Sequence, residues 1–143
     1  MSESAAKAIL LVEDNPADVY LIQKAVEECG DDIRVSVIPN GQDALAFFRA
    51  EGPFAQFPSP ALIVLDLNLP KLDGLALLDA LRHLPAYQAT PVVIFSAAKK
   101  EREESHCLQL GANAYVEKPA QLDAFFFAIH TIVEQWLTPE RSH

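Results

Sequence analysis

The stretch Ala61-Leu-Ile-Val-Leu-Asp66 decides how the rest of this chain is read. Five apolar residues, bounded by Pro60 and Pro70, predict a strand buried on both faces. A carboxylate at the exit of such a strand cannot enter the core unpaired, so Asp66 must open onto a polar rim. Asn68, Pro70, Asp73 and Gly74 form a turn-rich run that leads into a helix.

The same pattern repeats on either side. Ala8–Val12 is an apolar run that stops at Glu13, Asp14 and Asn15. Pro16 suits the first turn of the helix that follows, with Asn15 or Asp14 able to cap it. Val19, Ile22, Ala25, Val26 and Cys29 form its apolar stripe, and Gly30 ends it. Ile33–Ile38 alternates apolar and polar residues, as a strand near a sheet edge does. Asn40 and Gly41 turn the chain into a short helix carrying Ala44, Leu45, Phe47 and Phe48. Gly52–Pro60, with three prolines, reads as a surface loop. Beyond Asp66, Leu75, Leu77, Leu78 and Leu81 mark a third helix that stops before Pro85. Pro91–Ser96 is a fourth strand, 100–110 a charged helix closed by Gly111, Ala114–Val116 a fifth strand, and 121–136 the last helix. Strands and helices therefore alternate five times. That demands an α/β fold, a five-stranded parallel sheet with helices on both faces.

The totals limit what such a fold could do. With 143 residues, half of them hydrophobic, the chain suits one domain with a packed core at about 8–136. A formal charge of −9 disfavours nucleic acid or an anionic membrane as a direct partner. No apolar run approaches the roughly twenty residues that span a bilayer. Residues 1–7 lack the apolar segment of a secretory signal, so a cytoplasmic protein is expected. Two cysteines, Cys29 and Cys107, each within a helical pattern, read as small buried thiols rather than a disulfide or metal site. His83, His106, His130 and His143 are scattered on polar faces and read as solvated.

In an open sheet of this kind ligands gather beyond the carboxyl ends of the strands. Four of those ends deliver Glu13 and Asp14, Asp66, Ser96, and Lys118. Singly, each has a bland explanation: a helix cap, a turn, a surface charge. Jointly they do not, because three carboxylates on one rim repel each other unless a cation intervenes. Hard oxygen ligands without histidine or cysteine favour Mg²⁺. A carboxylate is a usable nucleophile towards phosphorus. Mg²⁺ and Lys118 would neutralise the oxygens of a transferring phosphoryl group, and Ser96 could donate a hydrogen bond to it.

The motifs Leu11-Val-Glu-Asp-Asn15, Val64–Pro70 with Asp73-Gly74, Phe95-Ser-Ala97, Gly111-Ala112 and Tyr115-Val-Glu-Lys-Pro119 together resemble a response-regulator receiver domain. The resemblance spans Ile9 to about Trp136 and implies a single receiver domain over 1–143 with no output domain. It implies a flavodoxin-like strand order of 2-1-3-4-5. It also implies that Asp66 is the phosphorylation site, that Glu13, Asp14 and Asp66 with the Asn68 backbone carbonyl hold Mg²⁺, and that Lys118 contacts the phosphoryl group. A cis bond before Pro119 is part of the family pattern. Ser96 and Tyr115 match its switch pair, whose hydroxyl moves to the phosphate while the ring turns inward. Glu13 stands where many relatives have aspartate, a change of reach rather than charge.

The longer phrase Leu11–Ile22 and the loop before Asp66 resemble regulators paired with phytochromes. They imply a histidine kinase of that type as phosphodonor, and a homodimer. In the last helix Leu122, Phe125, Phe126, Ile129, Ile132, Val133 and Trp136 form a core-facing stripe, while Phe127 falls on the far side. An exposed phenylalanine is common in itself; the resemblance makes Phe127 a candidate dimer contact. The expected function is a phosphorylation-controlled switch rather than an enzyme. Two other readings share the topology. An aspartyl-phosphate phosphatase would want a second aspartate at position 68, where Asn68 stands. A flavin-binding electron carrier would want a Ser/Thr/Gly-rich loop after the first strand, where Glu13 and Asp14 would repel phosphate.

Overall fold

The computed structural model describes residues 7–137. Five strands, Lys7–Val12 (β1), Ile33–Ile38 (β2), Leu62–Leu65 (β3), Val92–Ser96 (β4) and Ala114–Glu117 (β5), pair in parallel in the order β2-β1-β3-β4-β5. The alternating strand β2 lies at an edge and the wholly apolar β3 at the centre, buried along its whole length. Helices Pro16–Glu27 (α1), Gly41–Phe48 (α2), Gly74–Arg82 (α3), Lys100–Gln109 (α4) and Leu122–Trp136 (α5) connect and follow the strands.

Because side chains alternate across each strand, the sheet divides the core in two. Ile9, Leu11, Leu62, Val64, Val93 and Phe95 pack against α1 and α5 on one face. Leu10, Val12, Ile63, Leu65, Val92 and Ile94 pack on the other against α2, α3 and Cys107 of α4. Phe54 and Phe57, in the proline-rich loop, are partly buried against this second half of the core. That loop is tied down by its aromatics rather than lying loosely on the surface.

The register sets the rim. Val12 pairs with Leu65, so Glu13 and Asp66, each the next residue, leave the sheet side by side. The Asp66 amide still donates to the Val12 carbonyl at 3.1 Å, and Lys118 N donates to Ser96 O at 2.8 Å. Both hydrogen bonds carry the ladder one step past the strands and fix where these side chains start.

Helix starts complete the rim. Asn15, not Asp14, caps α1: its Oδ1 accepts from Ala17 N at 2.9 Å and Asp18 N at 3.2 Å. Asp14 is thereby left outside the cap. Asp73 caps α3 through Ala76 N at 2.9 Å. Gly74 follows it because a Cβ there would sit 2.5 Å from the Asp66 carbonyl oxygen and 2.6 Å from Leu67 Cα. The start of α3 therefore lies directly on the Asp66 loop. Helix α4 has no cap of its own; Glu117 Oε1 from β5 accepts from Lys100 N at 3.0 Å.

Several expectations need correction. The described residues contain no cis peptide bond, so Lys118–Pro119 is trans, the isomer that X–Pro bonds favour by about 0.5–1 kcal/mol. Leu122 is 55% exposed rather than part of the α5 core stripe. It is the first residue of the helix, where the packing runs out before the periodic face does. A 3-10 turn at Pro85–Tyr87 follows α3, and it buries Tyr87 edge-on to Phe48. Cys107 is buried as expected, but Cys29 is only partly so, with its thiol donating to Ala25 O at 3.5 Å. His130 is not simply solvated: its Nε2 lies 2.9 Å from Glu28 Oε1 across the α1–α5 face.

Candidate functional site

Asp66 is only 5% exposed, one residue beyond a strand that is completely buried. Its Oδ1 accepts from Asn68 N at 3.3 Å, and its Oδ2 lies 3.2 Å from Lys118 Nζ. Glu13 is buried more completely, at 1% exposure. The extra methylene of Glu13 carries Oε1 to within 2.8 Å of Lys118 Nζ, while Oε2 accepts from Asn15 N at 3.1 Å. Asp14 stays exposed at the mouth. Carboxylate oxygens of Glu13, Asp14 and Asp66 all lie within 4.8 Å of one another. Such an all-oxygen donor set, one member open to solvent, fits a divalent cation that keeps some of its water.

Lys118 has a third partner. Asp18 Oδ2, from the first turn of α1, accepts from Nζ at 2.8 Å. One ammonium thus serves three carboxylates, and the charges of the site divide unequally. For Lys118, burial works against the charged form. Its hydrogen bonds to Asp18 and Glu13, with the charges of Glu13 and Asp66, outweigh burial and hold its pKa above the ordinary lysine value. For Glu13, burial is the largest influence and the share of Lys118 it receives does not offset it. With Asp66 adding repulsion, its pKa is pushed up to about 7. One ammonium among these carboxylates leaves the site short of positive charge.

Ser96 and Tyr115 stand on the next two strands, β4 and β5. Ser96 is fully buried at the end of β4, and its Oγ accepts from Ala98 N at 3.3 Å. The Tyr115 ring is buried already, and its hydroxyl donates to Ala98 O at 2.6 Å. Burial, then the charges of Cys107 and Glu103, push its pKa up to about 12. Both side chains therefore hold the same short loop between β4 and α4. Lys118 Nζ also lies 6.0 Å from the Phe95 ring centroid.

The structure thus brings Glu13, Asp14, Asp66 and Lys118 to one rim, with Asn68 in the loop that follows Asp66 and Ser96 and Tyr115 on the adjoining loop. Phe127 lies apart on α5, 71% exposed. Asp18 carries no signal of its own in the sequence, because an acid in the first turn of a helix is explained by the helix dipole alone. Only the return of Lys118 from a hundred residues away gives it a second role.

A parallel sheet in the order 2-1-3-4-5, with acids at the ends of its two central strands and a lysine after the last, defines the class of flavodoxin-like receiver proteins. The chain belongs to the response regulator receiver domain family, whose profile matches residues 9–130. It is 34% identical over 131 residues to response regulator Rcp1 of Synechocystis sp., covering 92% of this chain and 89% of that one. The phosphorylated cyanobacterial phytochrome response regulator RcpA superimposes with a TM-score of 0.89 at 39% identity, over 96% of this chain and 98% of that chain. The Mn²⁺-bound form of Rcp1 gives a TM-score of 0.87 at 33% identity, over 96% and 99%. The chain is a homologue of the phytochrome response regulator RcpA and of Rcp1, and a receiver of the two-component signalling class.

Proposed function

We propose that this chain is a single receiver domain whose Asp66 accepts a phosphoryl group from a histidine kinase of the phytochrome type. The observation that carries the reading is the setting of Asp66: a nearly buried carboxylate, beside two acids that would hold a cation, 3.2 Å from a lysine. In this reading Mg²⁺, held by Glu13, Asp14, Asp66 and the Asn68 carbonyl, supplies positive charge to the phosphoryl oxygens. An Asp66 carboxylate oxygen attacks phosphorus as the bond to the donor breaks, and the leaving group departs with the electron pair. Lys118 redirects an N–H from the Asp66 carboxylate to a phosphoryl oxygen. The Ser96 hydroxyl leaves Ala98 N and donates to another. Adding about −1.5 to −2 charge at Asp66 then biases the loop that Ser96 and Tyr115 both hold.

The phosphate is lost by slow hydrolysis, so the chain acts as a switch and not as a turnover enzyme. The expected setting is the cytoplasm; among the described residues no helix is long and apolar enough to cross a membrane. The output is read through a homodimer. Its support is Phe127, which with Leu122 is one of two large apolar side chains exposed on α5, beside the partly buried Phe126. Phe127→Asp lowers the mass seen in sedimentation if this face pairs, and leaves it unchanged if it does not.

The reading is tested by incubating the protein with acetyl phosphate and Mg²⁺. One labile phosphoryl group per chain, absent from Asp66→Asn, supports it. Catalytic release of phosphate over many turnovers would point to the phosphatase instead.

A further inference from the structure

The three acids around Lys118 are not equivalent. Glu13 and Asp66 belong to the carboxylate set that converges for a cation; Asp18 does not. Its Oδ2 is nonetheless as close to Nζ, at 2.8 Å, as any other oxygen, and closer than Asp66 Oδ2 at 3.2 Å. Its side chain is 21% exposed, so water only partly screens it. When a divalent cation compensates Glu13, Asp14 and Asp66, the Asp18 charge is left with Lys118 alone. Four carboxylates facing one ammonium and one divalent cation leave the site a unit negative, just where an anionic donor must approach.

We propose that Asp18 is a positioning residue that restrains phosphorylation of Asp66, by holding Lys118 and keeping the cation-loaded site electronegative. It acts through Lys118 and does not touch the reacting atoms. The inference rests on the receiver reading above. During transfer the Asp66 oxygen–phosphorus bond forms as the phosphorus–oxygen bond of acetyl phosphate breaks and acetate leaves with the electron pair. Lys118 must by then have swung the N–H it gives Asp66 towards the phosphoryl oxygen, while its bond to Asp18 holds Nζ in place. Asp18 competes for that ammonium. It lies in the first turn of a helix capped independently by Asn15, so replacing it leaves the cap acceptor in place.

The test compares wild type, Asp18→Asn and Asp18→Glu at saturating Mg²⁺ with acetyl phosphate as donor, at low and high ionic strength. Asp18→Asn is expected to acquire phosphate about three- to tenfold faster at low salt, the size expected for one partly screened charge a few ångströms away. Asp18→Glu, which keeps the charge, should stay near the wild-type rate. The Asp18→Asn advantage should shrink as salt is raised. Calorimetric titration with Mg²⁺ alone gives the second readout: Asp18→Asn should bind the metal slightly more weakly while accepting phosphate faster. Misfolding cannot produce those opposite signs, because it lowers both. An Asp18→Asn rate equal to or below wild type, or an advantage unaffected by salt, overturns the proposal while leaving Asp66 as the acceptor. Failure of the wild type itself to take up phosphate overturns the receiver reading, and this inference with it.

Discussion

Replacing Lys118 by methionine removes the one cation from a nest of carboxylates, and the cost follows from burial. Glu13 and Asp66 are 1% and 5% exposed and would lose their shared ammonium together. Breaking a buried ion pair from one side costs about 3–5 kcal/mol, against about 1 kcal/mol or less for a surface pair. In a domain whose whole stability is about 5–15 kcal/mol, that is a large share, and the melting temperature should fall by roughly 10 °C. Two conditions should return part of the loss. At pH 5 the stranded carboxyls can take up protons in the folded state, so the deficit should be smaller than at pH 8. Divalent metal replaces the missing charge, so saturating Mg²⁺ should recover much of the deficit at pH 8. The assay is urea unfolding followed by circular dichroism, at both pH values, with EDTA or with Mg²⁺. A deficit below about 1 kcal/mol at pH 8 in EDTA, or one indifferent to both pH and metal, would refute the reasoning.

Other expectations follow from the same geometry. Glu13 has its folded pKa raised from 4.5 to about 7, so between those values the unfolded chain gives up the proton first. The metal-free protein should therefore lose stability as pH rises through that window, by about 3 kcal/mol at most, and Glu13→Gln should flatten the slope in chelator. Arg82 ties the end of α3 to the loops around it, donating to Tyr87 O, Thr90 O, Gly111 O and Asn113 Oδ1. Lysine cannot reproduce that fork, so Arg82→Lys should cost about 2–3 kcal/mol in denaturant titration, with acetyl phosphate reactivity retained. The Tyr115 phenol should resist ionisation until about pH 12, and ultraviolet titration of wild type against Tyr115→Phe isolates its signal.

Whether a feature could be read from the sequence depended on how local its cause is. Ile63, Val64 and Leu65 have no polar alternation, so a strand buried on both faces was the only fit, and parallel order and rim followed from five such alternations. The alternation in β2 placed it at an edge for the same reason. Glu13, Asp14 and Asp66 were legible because a carboxylate directly after an apolar strand is locally costly and demands a partner. Asp18 was not, since its partner comes from another element and its position already had a sufficient local cause. Leu122 misled because helical periodicity gives a side chain its face but not the depth of the packing at the helix end. The inward Tyr115 and the short bond it makes to Ala98 O depend on the width of the space between β5 and the loop after β4, which no spacing of residues encodes.

The account rests on Asp66 alone, among four clustered acids, being the nucleophile. Borohydride reduction of the acetyl phosphate-treated protein converts an aspartyl phosphate to homoserine, and peptide mass spectrometry then locates it. Homoserine at position 66 and at no other acid is the predicted result. Homoserine at 14 or 18, the longer hydroxynorvaline at 13, or reduction at none of the four, would contradict it.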